Sequence, residues 1–236
     1  MKHFAKVLPL AGLALAPMAA SADTVLGVFA GGQYWDGNVD GSISAFDPLV
    51  QLGNYDDQGE TFSSYYVALE HPIPLIPNFK ARWNDMTVDG DGINPKSDFS
   101  HVDYILYYEI FDNDIVSIDL GVNAKRFDGN TRYIVADAAV TPVDFSGTVP
   151  MAYASTKIGL PFTSWWINAE ASALSFDDSD IRDVSASVEY QFLDNAAIDA
   201  SVRLGYRDME IKLDDIDDTY SDIRFSGPFV SVDVHF

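Results

Sequence analysis

Cysteine is absent from the 236-residue chain, which excludes a disulfide framework, a thiolate metal site and a cysteine nucleophile. Basic residues are scarce: 14 Lys and Arg stand against 36 Asp and Glu, for a net charge of −22. An acidic surplus of this size argues against nucleic acid as a partner, because phosphate contacts need Lys and Arg. Long apolar runs are missing too, and nothing approaches the roughly eighteen uninterrupted residues of a transmembrane helix. Yet 47% of the residues are hydrophobic, unlike a disordered acidic tail. The length suits one domain.

Residues 1–22 carry Lys2 and Lys6, then an apolar run from Val7 to Ala16, then small residues ending Ala20-Ser21-Ala22. This is the order of a secretory signal peptide, with cleavage expected before Asp23. The run is too short to span a bilayer and is bracketed by Pro9 and Pro17. Residues 23–236 are then one exported domain.

From residue 23 the dominant period is two. In Val184-Ser-Ala186-Ser-Val188-Glu-Tyr190-Gln-Phe192 every second residue is apolar and every intervening one polar. The segments starting at Val102, Ile118, Trp165, Ile198 and Val230 follow the same rule, and weaker versions lie at 25–35, 63–70, 79–87 and 149–160. These make ten segments, mostly of 9–12 residues, long enough to cross hydrocarbon as tilted strands. Short connections alternate with long ones, the latter at 36–61, 88–98, 127–147, 176–182 and 211–222. Short turns at one end, long loops at the other and an even strand number predict an all-β, antiparallel up-and-down transmembrane β-barrel. Ten strands are expected, with eight or twelve left open by the weaker segments and the long loops.

A soluble sandwich also alternates, so the placement of charge and aromatics decides. The apolar faces carry no charge, whereas the opposite faces carry Glu70, Lys80, Arg82, Asp103, Glu109, Asp119, Lys157, Glu170, Glu189, Asp199, Arg203 and Asp233. Tyr34, Tyr65, Tyr104 and Tyr206 gather toward the long-loop end, and Phe79, Tyr108, Trp165, Tyr190, Phe192 and Phe236 toward the short-turn end. Two aromatic girdles flanking an aliphatic band match a barrel facing lipid. The twelve charged residues are expected to form an ionic network that plugs the lumen or leaves a narrow, cation-leaning path.

The terminal Phe236, preceded by Val234, Val232 and Val230, resembles the C-terminal signal read by the machinery that inserts barrels into Gram-negative outer membranes. With Gly31-Gly32-Gln33-Tyr34-Trp35, Asp119-Leu120-Gly121-Val122, Leu204-Gly205-Tyr206-Arg207 and Ser226-Gly227-Pro228, the chain resembles an uncharacterised family of small Gram-negative outer-membrane β-barrel proteins. The resemblance implies outer-membrane lipid, lipopolysaccharide and the insertion machinery as partners, and it carries over no catalytic residue.

The search for chemistry yields little. His71 and His235 fall at the short-turn end, leaving His101, which shares a strand face with Asp103. A lumen histidine hydrogen-bonded to its neighbours is the expected reading, and adjacent Ser100 points to the opposite face, which counts against a Ser–His pair. Asp36-Gly-Asn38-Val-Asp40-Gly41, with Asp47 at the twelfth position, has the oxygen-ligand spacing of a calcium loop, although flanking helices are lacking and Asp replaces Glu. Other loop acids read as solvated surface charge. The expected function is a structural, surface-interaction or minor-channel role in the outer membrane without catalysis or a required cofactor. The alternatives are a lipid-modifying or protease-like outer-membrane enzyme, and a soluble, exported, calcium-stabilised β-domain.

Overall fold

The computed structural model describes residues 26–45, 51–89, 96–113, 115–132, 134–135, 138–139, 143–176, 179–195, 197–216 and 219–236. Ten strands build it: β1 (Gly27–Ala45), β2 (Gln51–Glu70), β3 (Asn78–Asp85), β4 (His101–Asp112), β5 (Val116–Arg132), β6 (Val143–Gly159), β7 (Trp165–Phe176), β8 (Ser179–Asp194), β9 (Asp199–Ile216) and β10 (Thr219–His235). Each pairs antiparallel with its sequence neighbours, and β10 returns to β1 through a register running from Phe29↔His235 to Ala45↔Thr219. The sheet therefore closes into an up-and-down barrel of ten strands with no free edge. Phe236 completes the seam by exchanging backbone hydrogen bonds with Val28, at 2.9 and 3.2 Å.

The short turns are built by local side chains. Asn113 Oδ1 accepts from the amides of Ile115 and Val116, and Asn195 Oδ1 from those of Ala197 and Ile198. These side chains stand in for the ladder partners that the turning backbone loses. Proline at 72, 74 and 77 stiffens the β2–β3 turn, whose base is tied by the His71 amide to Asn78 Oδ1 at 3.0 Å.

Most expected long loops are strand instead. β1 and β2 remain paired as far as Ser44↔Gln51, so 36–61 is largely a hairpin, and β5 with β6 extends through Val143↔Thr131. The stretches 176–182 and 211–222 are likewise strand on both sides of their undescribed tips. In the β3–β4 connection Thr87–Val88 pairs with Lys96–Asp98, which in turn pairs with residues 130–132 of β5 and extends the barrel sheet; in the β5–β6 connection Ile134–Val135 pairs with Ala138–Ala139. Residues 1–22, the expected signal peptide, lie outside the described residues.

The reason for the difference is a change of face along strands such as β10, β9 and β1. On the half of β10 nearer the C-terminus, Val230 and Val232 are exposed and Ser231 is buried. Beyond Pro228 the assignment inverts: Asp222 and Arg224 are exposed, while Ile223 and Phe225 are completely buried. β9 changes at the same level, from exposed Leu204 and Tyr206 to buried Met209 and Ile211. β1 changes from exposed Tyr34 to buried Trp35, Val39 and Ile43, with Asp36 and Asn38 facing out. The period stays at two, but the apolar face moves from outside to inside.

Candidate functional site

The barrel interior has three tiers. At the short-turn end lies a chamber of about 310 Å³. Ten of the twelve residues expected in the ionic network line it: Glu70, Lys80, Glu109, Asp119, Lys157, Glu170, Glu189, Asp199, Arg203 and Asp233. Lys80 pairs with Glu170 at 2.6 Å, Lys157 with Glu189 at 2.8 Å and Arg203 with Asp233 at 2.5 Å. Glu70 accepts from Tyr107 Oη at 2.7 Å, Asp119 from Ser155 Oγ at 2.5 Å and Glu109 from Asn78 Nδ2 at 3.2 Å. Acid thus exceeds base in the chamber. Lys80 and Lys157 also lie over the rings of Tyr66 and Trp166, each 4.9 Å from the centroid.

The other two, Arg82 and Asp103, sit in a buried ionic layer above the chamber. Arg82 bonds Asp103 at 3.1 Å and reaches Glu170 at 2.5 Å. Lys125, fully buried, is the centre of the layer: its ammonium donates to Asp103 Oδ1 at 2.9 Å, Asp183 Oδ2 at 3.0 Å and His101 Nε2 at 2.8 Å. Arg207 grips Asp183 with two bonds of 2.9 and 2.7 Å. Asn84 and Asn123 supply further donors to Asp103, at 3.1 and 2.9 Å. Each carboxylate is multiply satisfied, which a charge removed from water requires.

His101 has its role fixed by geometry. Its Nδ1 lies 2.9 Å from the Phe99 carbonyl and therefore carries the proton, leaving Nε2 to accept from Lys125. Both ring nitrogens are occupied and the residue is 3% exposed. Ser100, on the other face, accepts from the Met86 amide at 3.1 Å. His101, Asp103 and Asp183 could together hold a metal ion, but Lys125 Nζ already stands among the three as a cation.

Above this layer the interior is apolar. Trp35, Phe62, Phe99, Phe225, Met86 and Met209 form its centre, with ring centroids 5.1 Å apart for Phe99–Phe225 and 5.8 Å for Phe62–Phe225. Sequence reasoning missed this tier, together with Lys125, Asp183 and Arg207. The latter three continue the inward parity of Asp119, Glu189 and Arg203, so carrying the alternation a turn of the pleat further would have found them.

Three of the four residues with calcium spacing are described. Asp36, Asn38 and Asp40 lie on the outer face of β1, where alternate residues stand about 6.6 Å apart along an extended strand rather than in a loop. Asn38 Nδ2 donates to Asp57 Oδ1 and Asp40 Oδ1 accepts from the Asp57 amide, both at 2.8 Å. Asp47 lies outside the described residues. Of the terminal set, Val230, Val232 and Phe236 are exposed on the barrel wall and Val234 is half-buried.

No protein-family model matches the chain, and no curated protein does. Among solved structures the chain is similar to the outer-membrane protease OmpT from Escherichia coli, at 7% identity and a TM-score of 0.47 over 93% of this chain and 98% of that one. It is also similar to the β domain of the Bordetella autotransporter BrkA, at 11% identity and 0.45 over 89% and 98%. A Pseudomonas aeruginosa FadL homologue gives 10% and 0.36 over 89% and 90%. These scores carry no argument about activity, and the resemblance to the small-barrel family stands on the quoted residues alone.

Proposed function

We propose that this chain is an integral protein of a Gram-negative outer membrane, a barrel with a sealed lumen, a lipid-facing lower wall and an acidic upper wall exposed outside the cell. The observation that carries the reading is the change of face along the strands. Where the outside is apolar and the interior ionic, the surrounding medium is hydrocarbon; where the outside is charged and the interior dry, it is water. The level of the change is marked by Tyr34, Tyr65, Tyr104 and Tyr206, all exposed, as aromatic residues mark a lipid–water boundary.

The apolar tier and the ionic layer favour a plug over a cation path, because a conducting pore needs a continuous wet interior. The role is then structural or one of surface interaction, with lipopolysaccharide around the charged wall and the barrel-insertion machinery reading the Phe236 end. A non-catalytic role fits a His101 that is buried with both ring nitrogens engaged. Fractionation combined with unheated gel migration tests the reading. Recovery in detergent-extracted outer membranes, as a band whose mobility changes on boiling, is expected; recovery as soluble periplasmic protein would contradict it.

A further inference from the structure

The polarity of the outer wall inverts at the long-loop end and does not invert at the other. Toward the short turns, exposed apolar residues continue down the strands and into two of the turns themselves. Ile73, Leu75 and Ile76 are 54%, 92% and 52% exposed in the β2–β3 turn, and Phe162 is fully exposed at the tip of the β6–β7 turn. Turn tips in water favour Gly, Asn, Asp and Ser. Here Leu75 and Phe162 occupy left-handed backbone, at φ of 66° and 65°, a conformation that most side chains avoid. Two bulky apolar side chains are therefore held outward where small polar ones would fold more easily.

We propose that these two turns, 72–77 and 160–164, are lipid anchors that insert into the periplasmic leaflet and fix the depth of the barrel. The inference rests on the membrane reading above and adds to it a specific binding role for the rim. Lipid is the occupant because both tips are continuous with the outer wall. Tyr108, on the outward face of β4, donates its hydroxyl to the Leu75 carbonyl at 3.0 Å, holding the β2–β3 turn against the outside of the barrel. Phe162 follows the wall at Trp165, which packs on Tyr190 with centroids 4.8 Å apart and whose carbonyl accepts from the Leu160 amide at 2.8 Å. The three prolines at 72, 74 and 77 keep the first anchor stiff. Amphipathic rings beside aliphatic tips suit the boundary of headgroups and acyl chains.

The natural absence of cysteine makes the test clean. Nitroxides are attached singly at Leu75→Cys, Phe162→Cys, Leu120→Cys on the apolar wall and Asn38→Cys on the charged wall, in full-length protein reconstituted into phospholipid vesicles. Collisions with oxygen and with a water-soluble nickel chelate are compared. Labels at 75 and 162 are expected to be relaxed chiefly by oxygen, like the label at 120 and unlike that at 38. Nickel-dominated relaxation at 75 and 162, with oxygen still dominant at 120, would overturn the anchors and leave the membrane barrel standing; a protein docking site would give this result. Nickel-dominated relaxation at 120 as well would overturn both.

Discussion

The indole Nε1 of Trp35 donates to the carbonyl of Gly227 at 3.1 Å, across the seam where the last strand meets the first. The β1–β10 ladder pairs Trp35 with Phe229 and Asn38 with Ser226, but Asp36 and Gly37 have no ladder partner in Gly227 and Pro228. Pro228 has no amide to donate, and the Trp35 side chain takes up a carbonyl that the interruption frees. Gly227 belongs there because a Cβ would collide with the Asp36 carbonyl. Arg207 then lies over the Trp35 ring, 4.9 Å from its centre, joining the seam to the ionic layer. Three of the motifs that carry the family resemblance thus meet at one point, at the level where the wall changes face.

Replacing Trp35 by Phe keeps most of the buried surface and leaves the Gly227 carbonyl unpaired. A loss of about 1–3 kcal/mol is expected, with Trp35→Ala costing about 3–5 kcal/mol through the added cavity. Urea-induced unfolding in detergent or lipid, followed by the fraction of compact band on unheated gels, measures both.

Lys125→Met removes the cation shared by Asp103 and Asp183 and leaves two buried carboxylates undercompensated. The expected cost is about 3–5 kcal/mol. Arg224→Ala is the contrasting variant: its guanidinium pairs with Asp208 at 2.5 Å on the exposed wall, and about 0–1 kcal/mol is expected. The same unfolding measurement on both variants tests whether the interior layer, rather than the surface ion pairs, holds the barrel.

In planar bilayers the refolded wild-type protein is expected to pass no stepwise current at either polarity. Reproducible cation-selective steps would contradict a sealed lumen.

Calcium and a chelator are expected to give the same unfolding midpoint, and Asp36→Asn with Asp40→Asn is expected to leave that equality untouched. A midpoint raised by calcium and returned to the chelated value by this double variant would restore a metal role for the outer face of β1.

The strand count was legible because hydrocarbon imposes a simple rule on each segment, apolar outside and polar inside, as in Val184–Phe192 or Val230–Phe236. The lower ionic residues were legible for the same reason: Glu189 and Asp233 alternate along their strands with uncharged neighbours. The upper half of the barrel was not, because water outside reverses the rule. Asp222 closed the stretch read as a loop, when Ile223 and Phe225 just after it were the buried face of a continuous strand. Asp36 and Asp40 read as part of a loop for the same reason, since alternate acids in a water-facing strand imitate ligand spacing. Lys125, Asp183 and Arg207 fell just past the ends assigned to their segments, at the level where the two rules meet.

The change of face is tested most directly on one strand. Val232 and Arg224 share the outer side of β10, so Val232→Cys and Arg224→Cys, labelled in intact outer-membrane vesicles with a membrane-impermeant maleimide mass tag, differ in height alone. The expected result is rapid tagging at 224 and none at 232 until detergent unfolds the barrel. Equal tagging at both positions in folded protein would mean that water bathes the whole wall, and the lipid-facing barrel would be wrong.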